Sequence, residues 1–129
     1  MPIVRIEESM KRDNETKTMI IQSIFQSLRS IFGVTDDELQ ARYDTYSAED
    51  FVSPLGKLPY IHIEITIFSG RLRETKKRLY TDIVVNLSTL LKIDPAAILI
   101  LLNEHSSENW GMQGGRAACD LDFGYEIIV

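Results

Sequence analysis

The chain has 129 residues, 44% of them apolar and 26% charged, and a formal net charge of −5. That length suits one domain able to bury roughly 65–70% of its unfolded surface, and the composition is ordinary for a globular protein. The acidic balance argues against nucleic acid and acidic membrane surfaces as partners, which leaves small molecules.

The longest apolar run, Ala96 to Leu102, falls far short of the ~20 residues that span a bilayer. The opening segment, Met1 to Glu8, lacks the basic start and apolar middle of a secretory signal, so a cytoplasmic location is expected. Cys119 is the single cysteine and excludes an intrachain disulfide, in keeping with a reducing compartment.

Taken in chain order, Pro2 to Glu7 largely alternates and predicts a strand. Asp13 or Asn14 offers a helix cap. Ile20, Ile24, Leu28 and Phe32 then recur at four-residue spacing as one buried face, which Gly33 stops. Gln40 to Tyr46 forms a second strand, and Pro54 to Pro59 has the composition of a short linker.

The order then repeats. In Tyr60 to Ile67 the four isoleucines take one face, while Tyr60, His62, Glu64 and Thr66 take the other. Leu79, Ile83, Leu87, Leu90 and Leu91 mark a helical stripe, with Asp94-Pro95 as its expected end. Ala97 to Leu102 reads as a fourth strand, and the tail after Trp110 reads as a glycine-rich turn leading into a final strand. Ser47-Ala48-Glu49-Asp50-Phe51 recurs as Ser106-Ser107-Glu108-Asn109-Trp110, an offset of 59 positions that also sets Glu15-Thr16-Lys17 on Glu74-Thr75-Lys76.

The expected architecture is therefore α+β: tandem β-α-β units forming one four-stranded mixed sheet with two helices on one face. Each unit is a right-handed parallel crossover. Residues 1–129 read as a single domain, with repeat one at about 2–52, repeat two at about 60–111 and a C-terminal tail at 112–129. The second sheet face needs cover from solvent-tolerant residues or from another subunit.

The sequence has no nucleophile elbow, phosphate-cradling loop, dinucleotide fingerprint or metal-ligand cluster. His62 and His105 are too few and too far apart in sequence to suggest a zinc site. Basic residues gather instead where a strand hands over to a helix, at Arg71, Arg73, Lys76, Lys77 and Arg78. Cations at a helix start oppose the macrodipole, and an anion there would relieve them through backbone N–H groups and bidentate guanidinium contacts. Lys76, Lys77 and Arg78 read more simply as a solvated face. Pro2 carries a second signal. Removal of Met1 would leave a secondary amine whose charged form nearby arginines and desolvation would both disfavour, making it a base near neutral pH.

Met1-Pro2-Ile3-Val4, the doubled unit, and Ser69-Gly70-Arg71-Leu72-Arg73 ahead of the second helix resemble the tautomerase superfamily. Phe32-Gly33-Val34, Arg42-Tyr43, Trp110-Gly111-Met112 and Gly115-Arg116-Ala117 are most similar to the branch of malonate semialdehyde decarboxylase and its uncharacterised relatives. The resemblance implies a homotrimer, an amino-terminal proline at Pro2 as general acid/base, and a carboxylate-holding pair at Arg71 and Arg73. It also implies a water-excluding wall at Trp110, with Met112 where the family has phenylalanine. The substrate would be a small 2-oxo acid undergoing keto-enol tautomerisation, with no metal or organic cofactor required; the alternative readings are a malonate semialdehyde-type decarboxylase and a non-catalytic trimer that binds a small anion through Arg71 and Arg73. Ala41 departs from the pattern, since the decarboxylases carry a catalytic aspartate immediately before the Arg-Tyr pair. Asp36, Asp37 and Asp44 are the nearby carboxylates that could substitute.

Overall fold

The computed structural model describes residues 2–129. Strand β1 (Ile3–Glu8) leads to helix α1 (Asn14–Ser27), whose start is capped by Asp13 accepting from the Thr16 N–H at 2.7 Å. A π-helical turn, Leu28–Phe32, continues the helix to Gly33, which closes it in the left-handed conformation at φ 71°. Strand β2 (Gln40–Thr45) completes the first unit. The second consists of β3 (Ile61–Phe68), α2 (Arg73–Leu91) and β4 (Ile98–His105).

The sheet order is β2-β1-β3-β4, with parallel pairing inside each unit and antiparallel pairing between β1 and β3 at the centre. Val4 pairs with Ile65 and Ile6 with Ile63. Under the 59-residue offset these two pairs exchange, so the units are related by a local two-fold rotation across the central strands.

Both helices lie on one face. Val4, Ile6, Ile61, Ile63, Ile65 and Ile67 present alternate side chains to Ile20, Ile24 and Leu28 from the first helical segment and Leu79, Ile83 and Leu87 from α2. All are buried, and each such side chain contributes about 1.5–3 kcal/mol of hydrophobic stabilisation. Ser27 Oγ donates to Asp82 at 2.6 Å and ties the two helices together. The other sheet face is polar: Arg5, Glu7, His62, Glu64, Thr66 and Asn103 occupy it beside the exposed Leu99 and Leu101.

Three local features differ from the sequence expectation. Helix α2 ends at Lys92, which adopts the left-handed conformation at φ 55°. Asp94 instead caps the short 3-10 turn Pro95–Ala97. The glycine-rich segment forms a small hairpin of β5 (Gly111–Met112) and β6 (Arg116–Ala117). The tail beyond it forms no strand. It has the alternation of one, with Leu121, Phe123, Tyr125, Ile127 and Val129 less exposed than Asp122, Gly124, Glu126 and Ile128. Side-chain anchors rather than a ladder hold it: Phe123 lies against Phe68 with ring centres 5.3 Å apart, and the Val129 carbonyl accepts from the Thr75 hydroxyl.

Candidate active site

The topology gathers the chemistry-bearing residues at one end of the sheet. Pro2 is buried immediately before β1, and Ile3 pairs with Gln40 on one side and Thr66 on the other. The head of β2 and the tail of β3 therefore flank Pro2. Parallel pairing brings the tail of β4 to the same end, where Phe68 sits opposite His105. Trp110 follows one short turn later and packs edge-on against Phe68, with ring centres 5.1 Å apart.

A cleft of about 380 Å3 opens here between Ile3, Asp37, Glu38, Gln40, Trp110 and Met112. Trp110 and Met112 thus share a wall. Another depression, about 600 Å3, lies at the linker between Pro54 and Tyr60, and none of the candidate residues lines it.

Arg71 and Arg73 are not equivalent. Arg71 is only 6% exposed, stacks its guanidinium 4.8 Å from the centre of the Phe32 ring, and donates from Nη1 to the Phe68 carbonyl at 3.2 Å. Its Nε has no hydrogen-bond partner among the described residues, nor has the buried indole Nε1 of Trp110. Arg73 is exposed at the first position of α2. Further along the helix, Lys76 pairs with Glu104 and Lys77 with Glu74, in keeping with a solvated face.

The internal repeat makes the state of Arg71 informative. Its counterpart under the 59-residue offset is Arg12. Arg12 donates at 2.9 and 3.1 Å to the two carboxylate oxygens of the fully buried Glu8, which also accepts from Tyr43. The positions matching Glu8 and Tyr43 in the second unit are Ile67 and Leu102. One buried arginine has a carboxylate built in, and at the other the carboxylate is missing.

Burial works against the charge of Arg71 and lowers its pKa, opposed by Tyr125, through its phenol and a hydrogen bond, and by Glu104. Tyr125 is held above its ordinary pKa first by burial and then by the charge of Glu38, with Arg71 pulling the other way and Asp37 adding to the rise. The phenol therefore sits within the field of all three side chains.

Among the carboxylates offered by the sequence, Asp36 pairs with Arg29 and Asp44 with Arg5 at 3.8 Å, while Asp37 lines the cleft and accepts from the Thr35 hydroxyl at 2.6 Å. Glu38 was not singled out by sequence, yet it is only 6% exposed and lines the same cleft. The single available signal was its place at the end of an acidic run leading into a strand. Ala41 packs against the helix-side core, so a carboxylate at that position would point away from the cleft.

On the polar sheet face, Glu7, His62 and Glu64 bring ligand atoms within 4.8 Å of one another. Distance in sequence concealed this group. His62 Nδ1 lies 3.3 Å from Glu7, Tyr46 donates to Glu7, and Asn103 donates to Glu64, so the group's polar atoms have protein partners.

Residues 56–113 match a family model described as a tautomerase enzyme, a span that includes Arg71, Arg73, Trp110 and Met112 but not Pro2. FG41 malonate semialdehyde decarboxylase, solved with 3-bromopropiolate as inhibitor, superposes with a TM-score of 0.79 at 18% identity, covering 92% of this chain and 94% of that one. Native fused 4-OT gives a TM-score of 0.84 at 16% identity, covering 92% and 98%. N1, a member of the cis-3-chloroacrylic acid dehalogenase family, gives 0.80 at 19% identity, covering 89% and 82%. At these identities the likeness is one of fold. The second β-α-β unit thus matches a tautomerase in sequence, and the chain shares the fold of these structures over nearly its whole length.

Proposed function

We propose that the protein is an enzyme that uses Pro2, freed by removal of Met1, as general acid/base for keto-enol tautomerisation of a small 2-oxo acid. The observation that carries this reading is Arg71: a buried guanidinium with an unpartnered Nε among the described residues, where its repeat counterpart Arg12 holds a carboxylate. A substrate carboxylate supplies the missing anion, and the Trp110 indole N–H, also without a partner among the described residues, offers a further donor. Arg73, exposed at the helix start, meets the acid first. Pro2 then takes a proton from the carbon next to the carbonyl and returns it elsewhere. The Arg71 charge favours the neutral amine before transfer and offsets the enolate charge that develops. Trp110 and Met112 keep water out. By analogy with the trimeric fused 4-OT structures of the same fold, three copies would pack their polar sheet faces together.

A second reading is decarboxylation of malonate semialdehyde or a similar 3-oxo acid. Glu38 favours it, because a buried carboxylate in the cleft supplies what Ala41 lacks.

Intact-mass measurement of the purified protein tests the amine, which requires loss of Met1. The protein is then incubated with phenylenolpyruvate and with malonate semialdehyde. Ketonisation of the first is expected, and Pro2→Ala should reduce it by about 100-fold or more with the fold unchanged. Release of acetaldehyde and carbon dioxide from the second supports the alternative, and activity on neither removes both.

A further inference from the structure

The C-terminal tail lies outside the span that matches the family model, yet it reaches into the site. Its extended alternation aims Phe123, Tyr125 and Ile127 inward, and each neighbour of Tyr125 is fixed. Phe123 stacks on Phe68, Ile127 lies against Gly70, and the final carbonyl of Val129 accepts from Thr75 at the start of α2. Tyr125 is held between these anchors and packs against the core, with its ring 6.1 Å from that of Phe123.

The phenol oxygen meets the Arg71 side chain through a hydrogen bond in which the guanidinium donates. The charges of Asp37 and Glu38, both of which line the cleft beside Ile3, also act on the phenol. Tyr125 thus bonds the buried arginine on a tail whose Phe123 packs on Phe68, the ring that also carries Trp110 of the cleft wall. A half-buried hydroxyl here is costly unless it bonds, and phenylalanine would fill the same space without that cost. An oxygen that accepts from a guanidinium becomes a stronger donor of its own proton. Burial and the Glu38 charge also hold the phenol above its ordinary pKa of 10.0, so it keeps its proton at neutral pH.

We propose that Tyr125 is a further catalytic residue, a tail-supplied donor that hydrogen-bonds the developing enolate oxygen while Arg71 holds both the phenol and the substrate carboxylate. The inference rests on the tautomerase reading above. Pro2 breaks the C–H bond and takes the proton, the electron pair becomes the carbon–carbon double bond, and the carbonyl oxygen gains charge that the Tyr125 hydroxyl stabilises without giving up its proton. The proton then passes from Pro2 to that oxygen and completes the enol, and ketonisation runs the same steps in reverse.

The test uses the full chain and Tyr125→Phe. Ketonisation of phenylenolpyruvate should lose about 100-fold in kcat with little change in KM. Trp110 is the only tryptophan, so its fluorescence reports ligand binding in the cleft directly. Oxalate mimics a 2-oxo acid enolate, whereas propionate offers a carboxylate alone. Tyr125→Phe should weaken oxalate about tenfold and leave propionate unchanged. Equal loss for both ligands would reduce Tyr125 to a support for Arg71 and overturn the proposal, as would unchanged kcat and oxalate affinity. If the wild-type protein turns over no enol, the tautomerase reading fails, and the oxalate–propionate contrast still decides the role of Tyr125. Circular dichroism and the melting temperature of the variant establish that it is folded.

Discussion

Gly70 and Ile127 approach so closely that a β-carbon on Gly70 would lie 3.0 Å from Cγ2 of Ile127. Gly70 also holds φ at 138°, a conformation open to glycine and few others. Gly70→Ala is therefore expected to cost about 2 kcal/mol of stability and to dislodge the tail. Urea unfolding measures the first effect. Limited proteolysis of the tail measures the second, and an unchanged cleavage rate would count against the tail being anchored there.

The two arginines should separate by experiment. Removing buried Arg71 takes away both the anion contact and the group stacked on Phe32, so Arg71→Ala should lower kcat by about 100-fold or more and reduce the melting temperature. Arg71→Lys is not expected to rescue it, because an ammonium lacks the planar fork. Arg73→Ala, at an exposed site, should raise KM about tenfold with stability unchanged.

Glu38→Gln divides the two functional readings. Ketonisation of an enol should stay within about threefold of wild type, because no step of that path uses Glu38. Any decarboxylation of malonate semialdehyde should fall at least about tenfold. Parallel assays on the same preparation give the ratio.

Glu7 provides an acid-side prediction. The Tyr46 hydroxyl donates to it and is the foremost cause holding its pKa below the ordinary 4.5, against a smaller rise from burial, with Arg5 and His62 reinforcing the fall. A carboxylate depressed in the folded state contributes stability that is present above its unfolded pKa and is lost as pH falls through the folded value. Tyr46→Phe should therefore lower the urea midpoint at neutral pH. The gap to wild type should close as pH falls through the depressed folded value of Glu7.

Local periodicity made the fold legible. The isoleucine alternation of β3 and the four-residue spacing of Ile20, Ile24, Leu28 and Phe32 state their buried faces directly, and the repeated Ser-x-Glu-x-aromatic segment exposed the doubled unit. Helix α2 ended earlier than expected because a lysine accepted a left-handed conformation that sequence assigns to glycine. The tail carried strand-like alternation without a sheet edge to receive it, since its partners are the side chains of Phe68 and Thr75 and the backbone at Gly70. Arg71, Trp110 and Met112 could be named from motif, whereas Glu38 and Tyr125 gain meaning only from burial and from chain segments brought together by folding. The same holds for Glu7, His62 and Glu64, which are adjacent only through antiparallel register.

The local two-fold between the units has a further consequence for how many reaction centres a chain can hold. Both ends of the central strand pair present an equivalent scaffold, but the position matching Pro2 in the second unit is Ile61, joined through a peptide bond to the linker. An amine can exist at only one of the two ends. The other end was left to Arg12, Glu8 and Tyr43, a closed polar cluster that serves the fold. One end of the sheet thus holds a closed arginine–carboxylate pair, and the other an arginine whose Nε has no hydrogen-bond partner among the described residues.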